Sequence, residues 1–385
     1  MKISGYRRAN GWVGFRNYVA ILPTVMCSST LAAQISSMVQ GTVALPHPHG
    51  CSELEDDRQR TLRTLVGLGA NPNVASVLVV GLGCENVTVA EVVEGLKVPG
   101  KRVEHLSIQQ EGDTISALEK GLRLAQEMVQ EASRYRREEV DWDEVILGLK
   151  CGGSDATSGL VSNPVLGFAA DKVVSLGGTV VLCETTELIG AEHILAEQAA
   201  NEEVRRRLLQ AVGATENTIC SLGLDLRGTQ PSPGNMAGGL TTIEEKSLGC
   251  VCKGGTSPLV EVVDYACRPT RRGLVMMDTP GNDMEAVTGL VAGGAQVIAF
   301  TTGCGTPTGS ALAPVIKICG NPVTSRRMQA NIDVDVSGVI SLGEPLEEAG
   351  ERLFREVVEV LNGKLTKAEV LGYRELAISR IHQSF

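Results

Sequence analysis

The chain alternates short apolar runs with longer segments in which apolar residues recur every three or four positions. The runs at 18–22, 76–81, 145–149 and 296–300 predict strands, because strands buried on both faces read as continuous aliphatic stretches. The segment 114–137 carries its apolar residues on one face and predicts an amphipathic helix. Alternation of strands and helices with short connections is typical of an α/β fold, with largely parallel sheets flanked by helices.

A charged stretch at 134–143 separates two groups of such elements. We therefore predict two α/β domains, residues 1–138 and 139–385. The second domain contains the segment 221–258, which is rich in Gly, Pro, Ser and Thr. So long a segment with little predicted regular structure is more often a functional loop than a linker.

Three predicted strands lead into cysteines that have glycine neighbours. The run at 145–149 continues into Lys-Cys151-Gly-Gly-Ser-Asp, the run at 76–81 into Leu-Gly-Cys84-Glu, and a shorter run at 43–45 into Pro-His-Pro-His-Gly-Cys51. Open α/β sheets bind ligands outside the carboxyl ends of their strands. We therefore expect one shared polar site at these strand ends.

Composition narrows the class of protein. The 35 basic and 45 acidic residues give a formal net charge of −10, which argues against nucleic-acid and anionic-membrane partners. A few cations and backbone N–H groups can still hold an anionic small molecule. No apolar run approaches the roughly 20 residues of a membrane span, and the N-terminal residues lack a signal-peptide core, so we expect a cytoplasmic protein.

The chain has 11 cysteines, which in the cytoplasm are thiols or metal ligands and not disulfides. No Cys-x-x-Cys pair occurs, which disfavours a zinc ribbon. Thiolate and imidazole groups suit iron, so His47, Cys51, Cys84 and Cys151 are candidate iron ligands. The alternative is that these cysteines fill space as small apolar residues.

Acid–base groups and glycines supply the other candidates. Six residues at or near predicted strand ends could transfer protons, namely Glu85, Asp155, Glu184, Glu187, Lys246 and His47. Backbone N–H groups near Gly238 and Gly239 could hold a carboxylate, with Lys253 adding charge. The alternative is a surface loop in which the glycines only allow the backbone to turn. No Walker or complete dinucleotide-binding motif occurs.

Motifs spread over nearly the whole sequence resemble those of the altronate and galactarate dehydratase family, which also includes the large subunit of sulfolactate sulfo-lyase. The matching segments are 6–11 (YRRANG), 14–17 (GFRN), 23–27 (PTVMC), 50–51 (GC), 81–86 (GLGCEN), 151–155 (CGGSD), 162–164 (SNP), 190–192 (GAE), 231–235 (PSPGN), 238–239 (GG), 246–250 (KSLGC), 280–283 (PGND) and 305–307 (GTP).

The resemblance implies an iron-requiring hydro-lyase that dehydrates a sugar acid to a 2-keto-3-deoxy acid. The iron would be Fe²⁺ or an iron–sulfur cluster, held by Cys51, Cys84 and Cys151 with His47 nearby. Lys246 or Glu184 would serve as base or acid. The remaining motif residues complete the expected site, with Glu85 and Asp155 as further catalytic groups and Arg16, Asn17, Asn235, Gly238, Gly239 and Lys253 as substrate-binding groups.

The resemblance also implies partners and leaves alternatives open. Single-chain family members carry an additional small N-terminal module, so this chain is expected to work with a separately encoded small subunit, and as a homo-oligomer. Release of sulfite from sulfolactate is the alternative reaction. A non-catalytic iron-binding or scaffold subunit is the alternative of another class.

Overall fold

A computed structural model describes residues 1–226 and 230–385. Its smaller parallel sheet has four strands in the order β4-β3-β5-β6, and we call the part built on it the first lobe. The bounds are β3 (Tyr18–Pro23), β4 (Thr42–Ala44), β5 (Val74–Gly81) and β6 (Arg102–Ser107), with α1 (Met26–Met38), α2 (Glu55–Ala70), α3 (Val89–Gly95), α4 (Ile108–Glu111) and α5 (Thr114–Ala132).

The larger sheet has seven strands in the order β10-β11-β9-β8-β12-β13-β14, and every neighbouring pair is parallel. We call the part built on it the second lobe. Its strands are β8 (Ile146–Cys151), β9 (Thr179–Leu182), β10 (Leu259–Val263), β11 (Gly273–Met277), β12 (Val297–Thr302), β13 (Val315–Cys319) and β14 (Val334–Asp335). The predicted α/β class with parallel sheets is confirmed, and β8 occupies the middle of this sheet.

The helices of the second lobe pack on both faces of the sheet, because strands buried on both sides need two apolar covers. They are α6 (Asn163–Ser175), α7 (Glu192–Glu197), α8 (Glu202–Ser221), α9 (Pro233–Ala237), α10 (Ile243–Val251), α11 (Asp283–Ala292), α12 (Pro322–Arg327), α13 (Gly338–Ser341), α14 (Leu346–Leu361) and α15 (Lys367–Leu371). The prediction of little regular structure at 221–258 is wrong for α9 and α10. Residues 227–229 of that segment lie outside the described residues.

A third, antiparallel sheet has the order β2-β1-β7 and was not predicted. It joins β1 (Ile3–Arg7) to β2 (Val13–Gly14) and to β7 (Glu138–Val140). The predicted domain boundary between residues 138 and 139 falls inside β7, and it stays a prediction. One apolar cluster combines Leu22 of the first lobe with Ile146 and Phe300 of the second, so the two lobes share a core. Among the described residues, no helix has the length and apolar character that a membrane crossing needs.

Lys317 of β13 provides a test of the core. The residue is fully buried and its Nζ has no hydrogen-bond partner. Burial lowers the pKa of Lys317 from 10.5 to about 8, although Asp333 and Glu375 oppose the shift. The folded state therefore binds this proton less tightly than the unfolded state does. Lys317 therefore destabilises the folded protein, and this contribution has its full size below pH 8. It becomes smaller as the pH rises toward 10.5.

We expect Lys317→Met to raise the free energy of unfolding at pH 7 by up to about 3 kcal/mol, since each pKa unit corresponds to about 1.4 kcal/mol. The gain over the unmodified protein should shrink between pH 8 and pH 10, as measured by urea unfolding at each pH. Lys97→Met, at an exposed lysine, serves as the control and should change stability little. A less stable Lys317→Met protein would contradict this account.

Candidate active site

Two adjacent strands of the larger sheet end at the centre of the site. Cys151 is the last residue of β8, and Glu184 follows β9 by two positions. Glu184 has the left-handed backbone angles φ 74° and ψ 67°, which are uncommon for a residue with a side chain. Its N–H donates to Thr279 Oγ1 at 2.8 Å, and its Oε2 accepts from the Cys151 N–H at 3.0 Å. Strain of this kind concentrates at functional sites.

Two fully buried lysines neutralise Glu184. Lys150 Nζ donates to Glu184 Oε1 and lies 2.8 Å from Asp283 Oδ1 at the start of α11. Lys253 Nζ lies 2.9 Å from Glu184 Oε2, at an angle that makes the contact an ion pair without a hydrogen bond. Burial and Glu187 raise the pKa of Glu184 to about 7, while both lysines act in the opposite direction. Buried charges are tolerated only when they are paired in this way.

Cys151, Glu187 and Cys250 bring two sulfurs and a carboxylate together. Their ligand atoms all lie within 4.8 Å of one another, and all three residues are buried. Cys250 Sγ donates to Glu187 Oε2 at 2.8 Å, and Cys151 Sγ is 2.9 Å from Ser154 Oγ. The neighbouring Cys250 side chain is the main cause that lowers the pKa of Cys151 to about 6. We call these three residues the Cys–Glu–Cys group.

A close crossing of two segments delivers Cys250 to this group. Helix α10, which carries Cys250, passes the π-helical turn Ser158–Ser162 at Gly249 and Gly159. A Cβ placed on Gly249 would lie 2.8 Å from the Gly159 Cα, so any larger residue would force the two segments apart. The glycine pair therefore sets the distance between the Cys250 thiol and β8.

A cavity of about 270 Å³ opens beside the Cys–Glu–Cys group. Glu187 and Lys246 are the titratable groups among its lining residues, which also include Ile243, Gly281 and Asn282. Lys246 Nζ lies 2.9 Å from Glu187 Oε1. Burial alone would raise the pKa of Glu187, but Lys246 and the two buried lysines lower it to about 2. Glu187 is thus ionised and faces both the thiols and the cavity.

The structure brings Cys151 into this group but not the other three predicted iron ligands. His47 Nε2 lies 2.8 Å from the Pro23 carbonyl oxygen, and its Nδ1 accepts from the His49 N–H at 3.2 Å, so both ring nitrogens are engaged. Burial lowers the pKa of His47 to about 4, which keeps the ring neutral. Cys51 and Cys84 are exposed, in first-lobe loops that touch where the Asn86 N–H donates to the Gly50 carbonyl oxygen. Within residues 1–226 and 230–385, Cys–Glu–Cys is the one group of three such ligands.

Arg16 and Asn17 make hydrogen bonds to other segments of the chain. All five N–H donors of Arg16 are used, in two hydrogen bonds to Glu369 and one each to the carbonyl oxygens of residues 15, 360 and 364. Asn17 Oδ1 accepts from Arg8 at 2.7 Å, and its Nδ2 donates to the Ala132 carbonyl oxygen at 2.8 Å. Arg16 thus has no donor left for a carboxylate, whereas one N–H of Asn17 Nδ2 is not used in these contacts, and the substrate-binding role of both residues stays a prediction.

Asp155 and the predicted glycine loop support the turn that follows Cys151. Asp155 Oδ1 accepts from the Ser158 N–H at 3.0 Å, and Oδ2 accepts from Asn321 Nδ2 at 2.7 Å. Asn235 Nδ2 donates to the Ser154 carbonyl oxygen at 2.8 Å. The Gly238 carbonyl oxygen accepts from the Ala156 N–H at 3.0 Å, and Gly239 has φ 97°. These residues therefore shape the turn, and among the predicted binding groups Lys253 alone belongs to the buried charged cluster.

Glu85 belongs to another part of the molecule. Its carboxylate accepts from Thr24 Oγ1 at 2.9 Å and from the Gly83 N–H at 2.5 Å, and it lines a first-lobe cavity of about 520 Å³. It is not among the lining residues of the cavity beside Cys151.

Sequence reasoning gave no role to Lys150, Asp283 or Cys250. One available signal was the spacing of Lys246, Cys250 and Lys253, which lie four and then three residues apart and so share one face of a helical segment.

Comparison with known proteins identifies the family. Residues 142–384 match the family model described as D-galactarate/altronate dehydratase, C-terminal, and residues 5–133 match D-galactarate dehydratase/altronate hydrolase, second domain. The chain therefore belongs to the galactarate and altronate dehydratase family, as its motifs predicted.

Several named relatives are similar over most of their length. The chain is 43% identical to the (2R)-sulfolactate sulfo-lyase subunit beta of Chromohalobacter salexigens, covering 99% of this chain and 97% of that subunit. It is 38% identical to the altronate dehydratase of Bacillus subtilis, covering 97% of this chain and 76% of that enzyme. It is 35% identical to the galactarate dehydratase (L-threo-forming) of Escherichia coli, covering 94% of this chain and 72% of that enzyme. This chain is accordingly an enzyme of the lyase class.

Proposed function

We propose that this chain dehydrates a sugar acid of the altronate or galactarate type to a 2-keto-3-deoxy acid, and that it requires iron. The observation that carries the proposal is the Cys–Glu–Cys group, whose Glu187 lines a cavity that Lys246 also lines. The reaction removes hydrogen from the carbon that bears the carboxylate and hydroxide from its neighbour, and the resulting enol then tautomerises to the ketone.

The donor set fits iron. Two cysteine sulfurs and one carboxylate are ligands that iron accepts once the thiols lose their protons, and here their ligand atoms already lie within 4.8 Å of one another. When bound, iron would act as a Lewis acid that polarises an oxygen of the substrate. We propose Cys151, Glu187 and Cys250 as its ligands in place of the set predicted from sequence.

Lys246 is the proposed substrate-facing catalytic group. Glu187 raises the pKa of Lys246 against the effect of burial, so the amine is protonated at neutral pH. A cation in this position can hold the substrate carboxylate or donate a proton to the departing hydroxyl, which is otherwise a poor leaving group. The raised pKa favours the acid over the base for this residue.

Glu184 takes a positioning role in this proposal. It is fully buried and does not line the cavity beside Lys246. Its carboxylate instead fixes the Cys151 backbone N–H and the ammonium groups of Lys150 and Lys253. Removing it would leave two buried lysines without their shared partner, which is costly.

Elimination of sulfite from sulfolactate is the second candidate, and one observation favours it. The chain is 43% identical to the sulfo-lyase subunit but 38% and 35% identical to the two dehydratases. The two reactions differ only in the leaving group, which is sulfite in place of hydroxide. Because that relative is named a subunit beta, we propose that this chain acts with a separately encoded small subunit.

A product assay distinguishes these reactions. Protein purified without oxygen, alone and together with a candidate small subunit, is incubated with altronate, galactarate and sulfolactate. We expect a 2-keto-3-deoxy acid from one of the sugar acids. Release of sulfite and pyruvate from sulfolactate, with neither sugar acid consumed, would establish the second candidate. An iron-free protein that converts none of the three acids would overturn both and favour a scaffold subunit.

A further inference from the structure

A second cavity, of about 400 Å³, lies where the two lobes meet. Helix α2 of the first lobe contributes one wall, and the second lobe contributes residues that follow β10 and the end of α11. Most of its surface is apolar, with Val66, Ala266 and Ala292 among the lining residues. Two arginines, Arg63 and Arg268, line the same cavity. Cationic side chains on an apolar surface call for an explanation.

Neither guanidinium has an acidic partner. No carboxylate of the described residues lies within 4.0 Å of Arg63 or Arg268, the distance used to define an ion pair. Arg63 Nε is buried and has no hydrogen-bond partner. The charge of Glu144 raises the pKa of Arg268 from a distance, but the ion pair of Glu144 is with Arg7, at 3.4 Å. Two unpaired arginines beside one cavity are notable in a chain whose net charge is −10.

The arrangement of Arg268 suits a ligand. Its guanidinium stacks on the indole of Trp12, with the Cζ atom 3.9 Å from the ring centroid. It also packs closely against Gly294, where an added Cβ would come within van der Waals overlap of Nη1. A guanidinium that stacks on an aromatic ring keeps its N–H edge for bidentate contact with a carboxylate or phosphate.

We propose that this cavity binds a small organic anion, with a carboxylate or phosphate held between Arg63 and Arg268 and an apolar body against the walls. The site is separate from the active-site cavity. Helix α11 begins at Asp283, which contacts Lys150, and ends at Ala292, which lines this cavity. Ten residues of α-helix span about 15 Å, so one small molecule does not fill both places.

Calorimetric titration with phenyl phosphate tests the proposal. The unmodified protein should bind it, inorganic phosphate should bind more weakly because it lacks the apolar body, and benzyl alcohol should not bind because it lacks the charge. Arg63→Met and Arg268→Met should each weaken binding about tenfold or more, the usual effect of losing a charge-assisted hydrogen bond. Arg271→Met, at an exposed arginine outside the cavity, is the matched control and should bind as the unmodified protein does.

Two further measurements keep the result interpretable. Cys267 is partly exposed and lines the cavity, so phenyl phosphate should slow its alkylation by N-ethylmaleimide, as followed by peptide mass spectrometry. Arg268→Lys retains the charge and should lose less affinity than Arg268→Met, which guards against a variant that fails to fold. Unchanged affinity in both methionine variants would overturn the proposal. So would loss of binding in Lys246→Met, because the probe would then occupy the active-site cavity.

Discussion

Replacing Cys250 with serine is expected to prevent binding of the proposed iron and to abolish turnover. Cys250 supplies one of the two sulfurs of the Cys–Glu–Cys group, and its side chain is the main cause that lowers the pKa of Cys151. Mutation of residues that only hydrogen-bond to a metal ligand already lowers metal affinity or activity about 10–100-fold. Loss of a ligand itself should therefore lower them by a larger factor. Cys151→Ser should behave in the same way, with iron content measured alongside the rate.

Cys252→Ser is the matched control. Cys252 lies two residues further along the chain, is exposed, and donates only to the Leu248 carbonyl oxygen. It should keep both iron and activity. Cys51→Ser and Cys84→Ser test the ligand set predicted from sequence. If those two variants lose iron while Cys250→Ser retains it, the Cys–Glu–Cys group is not the metal site.

Lys246→Met is expected to lower kcat by about 10²–10⁴-fold, the usual contribution of a positioned acid or base, without loss of iron. Lys246 lines the cavity and is paired with Glu187, while Glu187 keeps its contact with Cys250. The measurement combines kcat, KM and iron content on one preparation. Lys246 contacts the proposed ligand Glu187 but is not itself a ligand. The substitution should therefore lower turnover without lowering iron binding.

Lys246→Arg distinguishes charge from proton transfer. Arginine keeps the positive charge but stays protonated at any accessible pH. If Lys246 only binds the substrate carboxylate, Lys246→Arg should recover most of kcat. If it donates a proton to the leaving hydroxyl, kcat should stay low while KM recovers. Loss of iron in Lys246→Met, or a kcat equal to that of the unmodified protein, would contradict a catalytic role.

Much of the fold could be predicted because buried parallel strands appear in the sequence as continuous aliphatic runs. The run at 145–149 predicted a strand, and β8 spans Ile146–Cys151 with every residue buried. The segment 114–137 predicted an amphipathic helix, and α5 spans Thr114–Ala132. The small antiparallel sheet was not predicted because β1 and β7 are short, partly exposed and far apart in the chain, with the paired residues Ser4 and Glu139 separated by 135 positions.

The candidate site was less predictable, because a strand end indicates where a side chain begins but not which others meet it. Cys51, Cys84 and Cys151 share a sequence context, yet the first two are exposed and the third is buried. Arg16 stands in a matching motif, yet its five donors are spent on Glu369 and three backbone carbonyl oxygens. Similar local sequence therefore led to dissimilar surroundings.

The sequence by itself determined the family, the α/β class and the position of Cys151 at the end of a buried strand, since these depend on local patterns and shared motifs. Only the tertiary structure decided that Cys250 and Glu187 accompany Cys151. Their meeting depends on a helix crossing at Gly159 and Gly249 and on the left-handed turn at Glu184. Ligand atoms must converge within a few ångströms, and that convergence comes from packing between segments far apart in the chain.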